Sequence, residues 1–251
     1  MIVSAARCAS LAPGSPTSSL GALGAALLAG ACLCVPAPAA ADVGATVSVF
    51  TDARFRGLST SGREPVALLD LSYDDPDGVY VATSLSAVAS SGGLRPLALV
   101  LNGGYAKRLS SGVTLDFGIV HSEYSHYSKS SQGRSFTELY AGLTHGRLTG
   151  RVYLSPHYFE SATWTTYGEL NGNFGIAPKL NLDGHVGVLI PVRNHDGGDI
   201  RPRYDWRLGL TRELGRASVH AAWTGGQGIH HYDDTHPRGG SAFVFGISYP
   251  L

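Results

Sequence analysis

The last ten residues of the chain, 242–251, read AFVFGISYPL and decide the fold. Bulky apolar side chains occupy every second position, as at Phe243, Phe245 and Ile247, and small or polar residues lie between them. This period-two alternation is typical of a β-strand with one apolar and one polar face. The alternation continues to the final residue, as expected of a last strand that closes a sheet against its first strand.

The same alternation recurs from Asp42 onward and predicts about twelve strands. Tight turns such as 74–78 alternate with connections that are usually longer and more polar, such as 227–239. This layout is typical of an antiparallel transmembrane β-barrel with short periplasmic turns and longer extracellular loops. A water-soluble sandwich or lipocalin, with its apolar residues inside, is the alternative. The expected strands are 45–58, 65–74, 78–88, 96–108, 112–123, 135–147, 150–161, 163–176, 179–192, 201–213, 216–226 and 240–251.

The first residues have the features of an export signal. An uncharged apolar run, 20–35, follows Arg7, and Ala39-Ala40-Ala41 matches an A-x-A cleavage site. We therefore expect a cleaved signal peptide at 1–41 and a barrel at 42–251, located in the outer membrane of a Gram-negative bacterium. A retained membrane anchor and a lipoprotein acylated on a cysteine of this segment are the alternatives.

Composition excludes several classes of function. The 251 residues include 19 basic and 19 acidic side chains, so the chain lacks the basic surface that nucleic-acid binding needs. All cysteines lie near the start, at Cys8, Cys32 and Cys34, which excludes disulfides, thiolate metal sites and cysteine nucleophiles from the remainder. We expect no cofactor and no nucleic-acid partner.

One local pattern resembles a known family. Residues 50–59 read FTDARFRGLS, residues 65–73 read PVALLDLSY, and residues 78–83 read GVYVAT. They resemble the TorF-type porin family, bacterial outer-membrane proteins of largely unknown function, although Ala53 replaces the usual tyrosine and Ala82 the usual glycine. Elsewhere the chain agrees with that family only in architecture. The resemblance implies an outer-membrane barrel that takes part in transport, and it carries no catalytic residues.

If apolar side chains face lipid, the alternate positions line the lumen, since a charge facing hydrocarbon is costly. We expect Arg54, Arg56, Arg203 and Arg207 on one wall, with carboxylates opposite them. The resulting field favours a narrow channel for the passive passage of small polar solutes or ions. The expected lumen-lining residues are Asp52, Arg54, Arg56, Asp70, Asp116, Glu138, Arg151, Glu169, Asp183, Arg203, Asp205 and Arg207.

Other functions remain open. A lumen filled by paired charges would suit a structural protein, an adhesin or a receptor. We expect no enzyme activity because no G-x-S-x-G signature occurs, although His157 or His185 could pair with lumenal carboxylates as in a hydrolase. The expected partners are outer-membrane lipid, small polar solutes or ions, and the barrel-assembly machinery, which reads a C-terminal strand. No metal is expected, and the weak candidate ligands are His230, His231, Asp233, Asp234 and His236.

Overall fold

The computed structural model describes residues 41–125, 134–160, 163–193, 201–227 and 240–251. Nearly all of these residues belong to strands, and one short 3₁₀ helix covers Tyr158–Glu160. Within these ranges, no helix is long and apolar enough to cross a membrane. The strands are β1 (Asp42–Phe50), β2 (Arg54–Phe55), β3 (Leu58–Ser59), β4 (Val66–Asp74), β5 (Val79–Ser90), β6 (Gly93–Arg108), β7 (Val113–Tyr124), β8 (Arg134–His145), β9 (Leu148–Ser155), β10 (Trp164–Ala177), β11 (Leu180–Arg193), β12 (Arg203–Leu214), β13 (Ala217–Gly226) and β14 (Ala242–Pro250).

Twelve strands, β1 and β4 to β14, form a closed antiparallel barrel in which neighbours in sequence pair with each other. The barrel closes where β1 pairs with β14, with Phe50 opposite Gly246 and Thr46 opposite Pro250. The predicted fold class is therefore confirmed. Tight connections such as 109–112 lie at one end, which we call the turn end. Segments 51–65 and 156–160 lie at the other, the loop end.

The outward face is apolar, which contradicts a soluble barrel with an apolar interior. Large outward side chains such as Val152 (55% exposed) and Phe245 (54% exposed) have no protein neighbour to cover them. Outward aromatic residues gather near both ends, the pattern of the girdles at membrane interfaces. At the turn end they are Tyr73, Tyr105, Phe174 and Tyr249, and at the loop end Trp164, Tyr204, Trp223 and Phe243.

Two predicted strands are too long. The seventh ends at Ser155 rather than at 161, because Pro156 cannot donate to the ladder and the chain turns into the 3₁₀ helix. The first ends at Phe50 rather than at 58. Residues 51–65 leave the wall there and fold into the lumen; we call them the lumenal hairpin.

A tight turn reverses the lumenal hairpin. Arg56 and Gly57 both adopt positive φ, 47° and 76°, so β2 and β3 are joined by a two-residue turn of the kind that closes hairpins. Asp52 fixes the base, since its Oδ1 accepts hydrogen bonds from the hydroxyls of Ser59 (2.6 Å) and Ser61 (2.9 Å). These local bonds replace the strand pairing that period-two alternation predicts for this segment.

Candidate channel lumen and its constriction

The lumenal hairpin crosses the barrel and reaches the opposite wall. It leaves the wall at the junction of β1 and β4, and Arg56 at its tip contacts β8 and β10, which lie across the lumen from β1. Its backbone also touches β13. A Cβ atom on Gly57 would lie 2.6 Å from the carbonyl oxygen of Gly225 and 2.7 Å from Cα of Gly226. Only glycine permits this close approach. Together with the contacts of Arg56 to β8 and β10, it shows that the hairpin spans the lumen.

Arg56 is the main contact with the far wall. Its Nη2 donates to both carboxylate oxygens of Glu138, at 2.7 and 2.9 Å. Its guanidinium carbon lies 3.9 Å from the ring centre of Tyr167, 5.3 Å from that of Tyr158 and 5.7 Å from that of Tyr153. We call Glu138 and these three tyrosines the tyrosine cage. Both members of the ion pair are almost completely buried, with side chains 8% and 4% exposed.

Electrostatics keep the arginines of the hairpin charged. Burial tends to lower the pKa of the Arg56 guanidinium, but Tyr158 and the carboxylate of Glu138 more than offset this effect and raise it. Burial lowers the pKa of Arg54, which Asp52 opposes; an arginine nonetheless remains protonated in proteins. Nη2 of Arg54 donates to the carbonyl oxygens of Gly57 (2.7 Å) and Gly240 (2.8 Å), which stiffens the hairpin and joins it to the chain just before β14.

Apolar side chains pack around the hairpin on the inward face of the loop half, the part of the barrel nearest the loop end. One cluster surrounds Ala53 of the hairpin base and includes Phe50, Val66, Leu68, Val88, Leu97, Ala98 and Val244. A second surrounds Phe55 of the hairpin and includes Phe136, Tyr158, Tyr167 and Leu189. The packed hairpin therefore closes the loop half to solvent.

The turn half, the part nearest the turn end, has a different interior. Most of its inward positions carry hydroxyl, amide or charged groups that are partly exposed, whereas Tyr80 and Asp116 are buried. The partly exposed residues are Thr46, Asp70, Asn102, Thr114, Thr144, Thr149, Asn171, Asp183, Thr211, His220 and Ser248. The lumen is thus polar and hydrated on one side of the hairpin and packed at the hairpin itself.

The expected arrangement, with arginines on one wall and carboxylates opposite, is wrong, because arginines pair with carboxylates on nearby strands. Arg151 donates from Nε (3.0 Å) and Nη2 (2.7 Å) to Asp116 two strands away, over Gly142, whose Cβ would meet the Arg151 side chain at 2.8 Å. Arg207 pairs with Asp183 on the adjacent strand at 3.0 Å. Pairing between nearby strands lowers the cost of burying these two arginines and their carboxylates.

A hydrogen-bonded network continues along the wall beside the Arg151 pair. Tyr80 donates to Asp116, and its hydroxyl also contacts that of Tyr140. Within the cage, Tyr153 donates a hydrogen bond to Glu169 at 3.2 Å. Tyrosine hydroxyls therefore hold Asp116 and Glu169 in place on the wall.

Histidines on the wall also have partners. Nε2 of His185 lies 2.8 Å from Asp205 and 3.1 Å from the Tyr167 hydroxyl, and Nδ1 contacts Asn171 at 2.8 Å. His185 thus pairs with a carboxylate, as the hydrolase alternative requires, but the hydroxyl beside it belongs to a tyrosine. His157 is exposed beyond the end of β9 and does not line the lumen.

The placement of the predicted lumen-lining residues divides them into two groups. Those on the wall face inward by register and by their contacts: Asp70, Asp116, Glu138, Arg151, Glu169, Asp183, Arg203, Asp205 and Arg207. Asp52, Arg54 and Arg56 also lie inside the barrel, but on the lumenal hairpin rather than on the first strand. On the wall, carboxylates outnumber arginines.

Sequence reasoning missed the tyrosines. Tyr140, Tyr153 and Tyr167 each lie two residues from a predicted lumenal charge, Glu138, Arg151 and Glu169, so the same alternation places them inward. The inward position of these three tyrosines could therefore have been predicted from the alternation. The five candidate metal ligands at 230–236 lie outside the described residues, and the described part of the chain contains no cluster of three potential ligands.

Comparison with solved structures supports the fold. The NanC porin has a TM-score of 0.55 and 8% identity, covering 82% of this chain and 100% of that one. The KdgM porin has a TM-score of 0.51 and 8% identity, covering 84% and 99%. Among curated proteins, none matches this sequence. A family model described as a bacterial protein of unknown function matches residues 36–243, most of the chain, and the protein therefore belongs to the Gcw_chp family.

Proposed function

We propose that the protein is an outer-membrane channel for small polar solutes or ions, with the lumenal hairpin as its constriction. The observation that carries the proposal is the junction of the two halves: a polar, hydrated turn half meets a loop half closed by one inward-folded segment. A barrel whose only task is mechanical has no need of a polar lumen that ends at a single hairpin. Constrictions formed by inward-folded loops are a common way to narrow a β-barrel lumen.

Similarity to known proteins supports the same function. The fold matches barrels named as porins, and the segment around the lumenal hairpin resembles the TorF-type porin family. The similarity of fold to such barrels supports an outer-membrane location, and the apolar outward face between two aromatic girdles fits a bilayer. Passage would be passive diffusion through the lumen.

A filled barrel that acts as a structural or receptor protein is the second candidate. The tight packing of the loop half around Phe55 and Phe136 favours it. The two candidates differ in what lies behind the hairpin: a channel conducts when the hairpin is released, and a filled barrel does not.

Conductance of the refolded protein in planar bilayers tests the proposal. Heat-modifiable mobility on gels first verifies that the barrel has formed. We expect discrete ion currents from the native protein or, if the hairpin stays closed, from a variant in which the hairpin is shortened. Absence of current from both, with the barrel intact, would favour the filled barrel instead.

Cell fractionation tests the location. We expect the protein in the outer-membrane fraction and an N-terminal sequence that begins after the predicted cleavage site. Recovery from a soluble periplasmic extract would contradict the membrane assignment.

A further inference from the structure

The tyrosine cage is built by the barrel, whereas the group inside it belongs to another element. Glu138 lies on β8, Tyr153 on β9 and Tyr167 on β10, and Tyr158 lies in the 3₁₀ helix that follows β9. Arg56 enters from the hairpin on the opposite side of the lumen. The cage and its occupant can therefore separate without breaking the barrel wall.

The composition of the cage defines the chemistry that it recognises. The faces of aromatic rings attract cations within about 6 Å of the ring centre, most strongly where water is excluded. A buried carboxylate adds a charge-assisted hydrogen bond. Together they suit a planar guanidinium or an alkylammonium group, and they disfavour anions and neutral solutes.

The occupant fits the cage incompletely. Only Nη2 of Arg56 reaches Glu138, and Nε is buried with no hydrogen-bond acceptor in the described part of the chain. Nε of Arg54 and Nε of Arg207 also lack an acceptor among the described residues, so what distinguishes Arg56 is its place beside a carboxylate and three aromatic rings. A free ligand with the same head group, not fixed to a hairpin, could orient all its donors.

Removal of Arg56 would leave the carboxylate of Glu138 without its cation. Glu138 would then be a carboxylate among aromatic rings without its arginine, which is costly unless it is solvated, protonated or paired again. The excess of carboxylates over arginines on the wall leads cations rather than anions toward this point from the turn end.

We propose that the tyrosine cage binds the guanidinium or ammonium group of a small organic cation, and that Arg56 occupies this site as an internal competitor when the hairpin is closed. A cation that binds the cage displaces Arg56 and releases the hairpin. The transport consequence rests on the proposed channel function, whereas binding to the cage does not.

Isothermal titration of the refolded barrel in detergent micelles tests the site with methylguanidinium, and with methylurea as a neutral probe of the same shape. We expect Arg56→Ala to bind methylguanidinium at least about tenfold more tightly than the native protein, because the competitor is gone. Arg56→Ala with Glu138→Gln should lose this gain. Methylurea should bind none of them, and Arg63→Ala, which removes an exposed arginine of the same hairpin, should behave as the native protein.

Equal binding of methylguanidinium by Arg56→Ala and by the double variant would overturn the proposal. Arg56→Lys provides a second test if the alanine variant does not fold, because a lysine is a poorer match for the rings and should compete less well. An Arg56→Lys affinity equal to that of the native protein would likewise contradict the competition.

Bilayer recordings separate this proposal from the channel itself. Current through Arg56→Ala that methylguanidinium leaves unchanged would retain the channel and reject the cage. Binding by titration without any current would retain the cage and reject the channel.

Discussion

The two halves of the lumen are built by the same strands yet hold their charges in different ways. In the loop half, the side chains of Arg56 and Glu138 are 8% and 4% exposed and lie among aromatic rings. In the turn half, those of Arg207 and Asp183 are 26% and 20% exposed and lie among hydroxyl and amide groups. The first pair holds the hairpin across the lumen, and the second lies flat on one wall.

One segment, the lumenal hairpin, determines whether the lumen is closed. Apart from a few register shifts, as between Ser86 and Ala87, the strands alternate along their length, so the wall itself could enclose water throughout. What changes is the residue type at inward positions, from Thr46 and Asp70 in the turn half to Phe50 and Val66 in the loop half. Apolar inward residues are present where the hairpin covers them, and they serve as its docking surface.

Replacement of the hairpin should have the largest effect on the difference between the two halves of the lumen. Phe50 and Val66 are paired across β1 and β4, so a glycine-rich linker of about four residues can join the strands in place of 52–64. We expect single-channel conductance to rise about fivefold or more, because the constriction governs the resistance of the pore. Bilayer recording against the Arg63→Ala control measures it. Unchanged conductance would show that other residues close the loop half.

Glu138→Gln should release the hairpin without removing it. Breaking a buried ion pair from one side costs roughly 3–5 kcal/mol, so the released state should become at least about 100-fold more populated. Arg54 and Arg56 are almost buried in the closed state, with side chains 6% and 8% exposed, and trypsin can cut after them only upon release. Their cleavage should accelerate by a similar factor.

Arg63 supplies an internal control for that experiment. It is exposed on the same hairpin, so trypsin should cut after it equally fast in the native protein and in Glu138→Gln. Equal acceleration at all three arginines would indicate that the substitution loosens the whole barrel rather than the docked hairpin.

Gly187→Val should weaken the loop half through packing alone. A Cβ at this inward position would overlap the hydroxyl of Tyr167 and lie 2.8 Å from Oδ2 of Asp205. We expect the free energy of unfolding to fall by about 1–3 kcal/mol, the usual cost of overpacking. Gly184→Val on the same strand is the matched control, since nothing lies within 4 Å of its Cβ. Equal urea midpoints for the two variants would contradict the packing described for Tyr167.

The architecture could be predicted from sequence because a membrane barrel imposes one rule on every strand. Lipid outside and a lumen inside enforce alternation, and each tight turn interrupts it visibly. The register of Asp116, Glu138 and Arg151 follows from the same rule. The pairing of those charges could not be predicted, because it depends on which strands lie adjacent and on glycines such as Gly142 that leave room between them.

The lumenal hairpin escaped prediction for a different reason. Phe50, Asp52, Arg54 and Arg56 alternate as a strand would, so periodicity alone extends β1 to residue 58. The contrary signal was local: Gly57 inside the run, followed by residues that form side-chain bonds to a backbone turn. The docking of Arg56 in the cage is beyond sequence reasoning, since Arg56 and Glu138 are more than eighty positions apart.

Substitutions in the turn half should have the smallest effects and should alter selectivity rather than stability. Because the Arg207–Asp183 pair is partly hydrated, its loss should change the free energy of unfolding by no more than about 1 kcal/mol. Asp183→Asn leaves Arg207 as an uncompensated cation in the water-filled part of the lumen, so the reversal potential in a salt gradient should shift toward anions. Arg207→Gln should shift it toward cations. A shift of the same sign from both would mean that the lumen responds to changes in shape at this position rather than to the sign of the charge.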